Sequence, residues 1–141
     1  MATTRRAQTR WNGTLLEGSG ETTFVSSGIG TFPLSWPSRS EEPNGKTSPE
    51  ELLAAAHASC FSMALSSGLA KAGTPATTLD TSVEVDFQPG QGVVAIRIVV
   101  QGDVPGVTAG DFEAAATTAK ENCPISKALS AVPISLSVIS K

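Results

Sequence analysis

Apolar positions along this chain follow two rhythms. Val83, Val85 and Phe87 alternate with Ser82, Glu84 and Asp86, and Val94, Ile96, Ile98 and Val100 repeat the two-residue period. Alternation turns one face to a core and the other to water, so both stretches are predicted strands, with Pro89-Gly90-Gln91-Gly92 as the turn between them. Ile134, Leu136 and Val138 alternate with Ser135 and Ser137 and predict a further strand. Near the start, Arg10-Trp11-Asn12-Gly13, Thr22-Thr23-Phe24-Val25 and Thr31-Phe32-Pro33-Leu34 are short β-prone pieces divided by glycines, which predicts a small antiparallel meander. The second rhythm is helical. Ser48 suits an N-cap, Pro49 the first helical position, and Glu51 would complete a capping box with Ser48. The Leu- and Ala-rich run to about Ala70 is strong helix former and is apolar nearly all round, which calls for burial on several sides. Ala72-Gly73-Thr74-Pro75 ends it. Phe112, Ala116 and Ala119 mark an amphipathic helix after Thr108, with Asp111 available for its cap, and a short helical piece follows Pro124. Pro37 to Thr47 reads as a polar loop. Three strands, a helix, two strands, a helix and a strand make an α+β fold, a mostly antiparallel sheet packed on helices.

Composition narrows the function classes. At 141 residues the expectation is a single domain spanning 1–141. Net charge is -3 and no basic run exceeds Arg5-Arg6, which argues against a nucleic-acid partner. No apolar run is read as approaching the roughly 20 residues of a membrane helix, and Met1 to Arg6 carries no apolar segment of a secretory signal. The expected compartment is a reducing cytoplasm, where a disulfide is more often transient and catalytic than structural.

The candidate chemistry lies in the two cysteines, Cys60 and Cys123, 63 residues apart. Cys60 sits inside the apolar helix. A thiol there is normally an inert small hydrophobe, its pKa raised by desolvation, unless a cation reaches it from elsewhere. Arg39, in the polar loop, is the best placed cation, and Glu50 is its natural anchor through a carboxylate–guanidinium pair. Each also has a plainer reading: Arg39 as a solvated loop charge, Glu50 as a carboxylate favoured at a helix start. Glu50 and Cys60 lie about 15 Å apart along a straight helix and differ in direction by about 80°, so they do not touch within it. Either the loop carrying Arg39 spans the gap or a second subunit supplies one half of a site, and the all-round apolar helix is what a two-fold interface would bury. Cys123 precedes Pro124, which biases it out of helical geometry and into an N-cap, where the helix start favours a thiolate. His57, three residues before Cys60, has two readings: a Cys–His nucleophilic pair, or a hydrogen-bonded histidine inside the packing. One histidine and two distant cysteines form no recognised metal cluster.

Thr47-Ser48-Pro49-Glu50-Glu51-Leu52-Leu53-Ala54-Ala55-Ala56-His57-Ala58-Ser59-Cys60-Phe61-Ser62-Met63-Ala64-Leu65-Ser66 resembles the central helix of the OsmC branch of the OsmC/Ohr family. Ala119-Lys120-Glu121-Asn122-Cys123-Pro124-Ile125-Ser126-Lys127-Ala128-Leu129 resembles its second cysteine motif, and Ala7-Gln8-Thr9-Arg10-Trp11-Asn12-Gly13 its opening strand. The resemblance implies an OsmC-like α+β fold in an intertwined homodimer with sites at the interface. It implies a thiol-dependent peroxidase acting on organic hydroperoxides, and on hydrogen peroxide less well. Cys60 matches the peroxidatic cysteine, Cys123 the resolving one, Arg39 the catalytic arginine and Glu50 the carboxylate that holds it. An external dithiol, of lipoyl type, is the implied reductant, and no metal, haem or flavin cofactor is implied. Two rivals stay open on the residues alone. One is a Cys–His hydrolase using Cys60 and His57; the other is a non-enzymatic redox sensor or structural stress protein.

Overall fold

A computed structural model describes residues 1–139. The chain groups into two compact units, Met1–Leu52 and a second beginning at Leu53.

The first unit holds the meander: β1 (Ala7–Asn12), β2 (Ser19–Phe24) and β3 (Thr31–Leu34), paired antiparallel in that order. Trp11 stands opposite Gly20 in the ladder, and a Cβ on Gly20 would come within 2.8 Å of the Trp11 ring, so glycine there lets the indole lie flat on the sheet. After β3 the sequence expectation needs correction. Residues 37–47 are not all loop, because Trp36–Ser40 forms a short helix, α1. Ser35 caps it: its hydroxyl accepts from the Ser38 amide at 3.2 Å while the Ser35 amide donates to the Ser38 hydroxyl at 3.0 Å. Pro37 is tolerated because the first turn of a helix leaves its amides unused. The chain then returns beside β3, where the Thr47 amide donates to the Pro33 carbonyl.

Helix α2 (Pro49–Lys71) begins in the first unit and continues through the second. Ser48 accepts from the Glu51 amide as expected. The Glu51 carboxylate, however, accepts from the Thr47 hydroxyl at 2.6 Å instead of closing the expected capping box. His57, Phe61, Leu65 and Leu69, spaced at four, form a stripe no more than 1% exposed. α2 is 23 residues long and its most apolar 18-residue stretch has a mean hydropathy of 1.4, by length and composition sufficient to cross a membrane, which corrects the sequence reading. That reading undercounted because alanine and serine break the apolar run without making the helix polar. The buried stripe marks α2 as a core helix of its unit.

The second unit adds β4 (Thr78–Gln88), β5 (Gly92–Asp103), α3 (Ala109–Asn122), α4 (Pro124–Ala128) and β6 (Ile134–Ile139). β4 and β5 pair antiparallel with a bulge at Asp86/Phe87, and β6 joins the far edge of β5 in parallel. Ile96, Ile98 and Val100 of β5 are buried, and the last two pack with the α2 stripe and with Phe112, Ala116 and Ala119 of α3. α3 is capped by Thr108, whose hydroxyl accepts from the Asp111 amide, so Asp111 supplies the donor and not the cap itself.

Candidate functional site

Cys123 joins α3 to α4. Pro124 forbids it a helical conformation, and φ -57, ψ 124 results. Its amide still donates to the Ala119 carbonyl at 2.8 Å, closing α3, while the sulfur faces the start of α4 and is wholly buried. Cys60, half-buried in the middle of α2, meets it: the two free thiols lie close enough to perturb each other's ionisation. Packing of α3 against the α2 stripe thus brings together sulfurs that lie 63 residues apart in sequence.

Their acidities diverge. Burial pushes the Cys60 thiol up, the hydrogen bond and charge of Cys123 add to the rise, and the Ile125 amide only partly opposes it. Burial also works against a Cys123 thiolate, but the Ser126 amide, the Cys60 thiol, the Ser126 hydroxyl and the Ile125 amide outweigh it and bring Cys123 below the ordinary value. The Cys123 side chain makes no capping hydrogen bond to α4. The donors around Cys123 favour its thiolate.

His57 bonds Ser126 and not Cys60. Its Nε2 lies 2.7 Å from Ser126 Oγ, with both residues buried. Burial disfavours the charged imidazole and lowers its pKa. Its Nδ1 is buried with no hydrogen-bond partner.

The first unit contains the other two predicted residues, and they are paired. Arg39 Nε donates to both Glu50 carboxylate oxygens at 3.1 Å and Nη2 donates to Oε1 at 2.8 Å. Glu50 is buried, whereas a third of the Arg39 side chain is exposed and its guanidinium carbon lies 6.0 Å from the Trp36 ring centroid. Arg97, by contrast, is engaged on the exposed face of β5, where it binds Glu84 and Asp86 and holds the Asp86 carboxyl below its usual range. Among the described residues no group of three or more His, Cys, Asp or Glu side chains is placed to hold a metal ion. An open groove of about 600 Å³ runs beside Ala58, Ser62, Thr81 and Val99, and neither cysteine lines it.

Two thiols in contact, one at a Cys-Pro helix start and one in mid-helix, narrow the comparison with known proteins. The family description "OsmC-like protein" matches residues 42–137. The chain belongs to the OsmC-like protein family. The match takes in Glu50, His57, Cys60, Cys123 and Ser126, while Arg39 lies just before it. Peroxiredoxin OsmC of Escherichia coli strain K12 is 36% identical over 130 residues, 90% of each chain. Among solved structures, an organic hydroperoxide resistance protein OsmC from Legionella pneumophila is 27% identical with a TM-score of 0.74, covering 98% of both chains. An OsmC-like protein from Vibrio cholerae shares the fold alone, with a TM-score of 0.77 at 19% identity over 98% of this chain and 100% of that one. The α+β architecture expected from the sequence, with its antiparallel meander, long cysteine-bearing helix and later strand, is therefore an OsmC-like fold.

One residue of this OsmC-like site escaped the sequence reading. Ser126 touches both Cys123 and His57. The available signal was its position three residues after an N-cap, where an amide and a hydroxyl both turn back toward the cap.

Proposed function

We propose that this OsmC-like chain is a thiol-dependent peroxidase that reduces organic hydroperoxides, and hydrogen peroxide less well, to alcohols and water. The observation that carries the reading is the buried contact between Cys60 and Cys123. The names of its relatives, a peroxiredoxin and an organic hydroperoxide resistance protein, support the same chemistry.

In this reading the Cys60 thiolate attacks the distal peroxide oxygen. The O–O bond breaks, the alkoxide leaves and takes up a proton, and Cys60 becomes a sulfenic acid. Cys123 attacks that sulfur, hydroxide departs as water, and a disulfide forms. A dithiol, of lipoyl type, returns two electrons by exchange. Arg39 is assigned the role of the guanidinium that favours the attacking thiolate and orients the peroxide, and Glu50 that of its anchor. The expected compartment is the reducing cytoplasm, where such a disulfide is recycled.

A homodimer is part of the proposal. Two facts favour a second copy: only 22% of the apolar window of α2 is buried within the chain, and Trp11, Leu15, Leu16, Ile29 and Phe32 of the first unit are exposed. An active protein that is strictly monomeric in sedimentation equilibrium would rule it out.

The decisive test titrates the reduced protein with cumene hydroperoxide and maps the product by mass spectrometry. A Cys60–Cys123 disulfide with one peroxide consumed per disulfide is expected; two persisting free thiols would end the assignment. The hydrolase rival loses its base, because the His57 ring is bonded to Ser126. A sensor would form the disulfide once but consume no peroxide catalytically when a dithiol is supplied.

A further inference from the structure

Among the described residues, His57 is the titratable side chain beside the thiols that the mechanism leaves unused. It is wholly buried, and one of its ring nitrogens is idle. Its proton has two possible sites. On Nδ1 it would be a buried donor with nothing to receive it, a rare arrangement in folded proteins. On Nε2 it points at Ser126 Oγ, 2.7 Å away, and leaves only a lone pair unmet. The second tautomer is favoured. Ser126 then accepts from His57, and its own hydroxyl proton must be spent elsewhere. The Cys123 sulfur, three residues earlier at the start of α4, is a neighbour of that hydroxyl.

We propose that His57 is a positioning residue for disulfide formation: by donating from Nε2 to Ser126 Oγ it turns the Ser126 hydroxyl proton onto the Cys123 sulfur and keeps that sulfur ready as the second nucleophile. The wire runs from His57 through Ser126 to Cys123, with Cys60 at its far end. In the step it serves, a Cys123 lone pair forms the S–S bond. The S–O bond of the Cys60 sulfenic acid breaks, its electron pair leaves with hydroxide, and a solvent proton completes the water. No further oxidant or reductant enters. As negative charge leaves Cys123 the hydroxyl contact weakens, so the wire supports the attacking thiolate and not the disulfide. A neutral imidazole suits this role, because it donates along the wire without adding a charge that would have to be buried.

The kinetic half of this inference rests on the peroxidase reading; the thiolate half does not, and the test separates them. The full chain carrying His57→Leu, His57→Gln or Ser126→Ala is compared with the unaltered protein in two measurements. The first is a pH titration of thiolate ultraviolet absorbance in the reduced state. Ser126→Ala and His57→Leu should move the first thiol ionisation to higher pH by about one unit, as the loss of a hydrogen bond to a charged sulfur demands. His57→Gln, whose amide keeps a donor at nearly the Nε2 position, should restore it. The second measurement is single turnover with one equivalent of cumene hydroperoxide, with sulfenic acid and disulfide quantified by mass spectrometry. The rate of disulfide formation relative to sulfenic acid formation should fall about tenfold in the first two variants and recover in the third. A merely structural His57 would leave both readouts unchanged in any variant that folds. Ser126→Ala, the smallest change, decides if His57→Leu fails to fold. Titrations that coincide for Ser126→Ala and the unaltered protein would overturn the proposal. If the unaltered protein forms no disulfide, the peroxidase reading fails and the titration alone judges the wire.

Discussion

The two units of this chain are stabilised differently. From Leu53 onward, a helix, a sheet and a second helix share one apolar core, with Phe61, Leu65, Ile98 and Val100 completely inaccessible. In Met1–Leu52 the buried side chains are polar: Thr22, Ser35, Ser38 and Glu50. Its large apolar groups face outward instead, Leu16 at 69% and Ile29 at 72% exposure. A three-stranded sheet needs a hydrophobic face packed on something to be stable by itself. The first unit, which holds the guanidinium–carboxylate pair, has its hydrogen bonds but lacks a core of its own. The unit that holds the thiols carries its own. Chemistry and stability are thus distributed unequally along the chain.

Substitutions on the two sides should separate these properties. The largest effect falls in the second unit. Cys60→Ser should abolish peroxide consumption altogether, and Cys123→Ser should allow one oxidation that stops at sulfenic acid, read by trapping and mass spectrometry. Next comes the core: Phe61→Ala should cost about 3–5 kcal/mol in urea unfolding. Phe32→Ala, at a side chain 40% exposed in the chain, should cost under about 1 kcal/mol in dilute protein. A cost for Phe32→Ala that grows with protein concentration would place a second copy over the meander. Arg39→Met should lower the rate of peroxide consumption about 10²–10³-fold, with a loss of stability of about 1–3 kcal/mol because buried Glu50 is left without the three hydrogen bonds Arg39 donates. If stability falls as far as activity, the pair is a strut of the first unit and not part of its chemistry.

The smallest effect concerns pH. Burial holds the His57 pKa below its ordinary 6.5, so the unfolded chain takes up the proton first as pH falls. Stability contributed by neutral His57 is complete above about pH 6.5 and is lost as pH falls toward the lowered value, with a slope of at most about 1.4 kcal/mol per pH unit. His57→Gln should lack that component, so chemical unfolding of the two proteins at about pH 8 and about pH 5 should show the gap between them changing in favour of glutamine on acidification.

Much of this architecture was legible because it rests on local rules. Ser48-Pro49 announces α2, and the alternation of Ile96, Ile98 and Val100 announces β5. The ends of β4 and β5 extend beyond the alternating core, to Thr78 and Asp103, because backbone pairing continues where polar side chains give no signal. α1 hid in a polar stretch because what forms it is a reciprocal pair of serines, not an apolar face. The direction of β6 was also hidden, since a two-residue period reads alike from either end. At the site, the residue types at Arg39 and Glu50 pointed to their pairing. Ser126 did not stand out, because a serine has many uses and this one depends on where His57 comes to rest.

The parallel placement of β6 beside β5 has a consequence for how the chain reaches this state. Strands β1 to β3 are joined by six-residue connections and can zip up locally. β6 must travel back across the thirty residues from 104 to 133 before it can join β5. Closing that long loop costs entropy before any contact rewards it, so the second sheet should be a late event in folding. Until then β5, whose Ile96, Ile98 and Val100 are buried in the finished fold, offers a bare edge on which another nascent chain can nucleate misassembly.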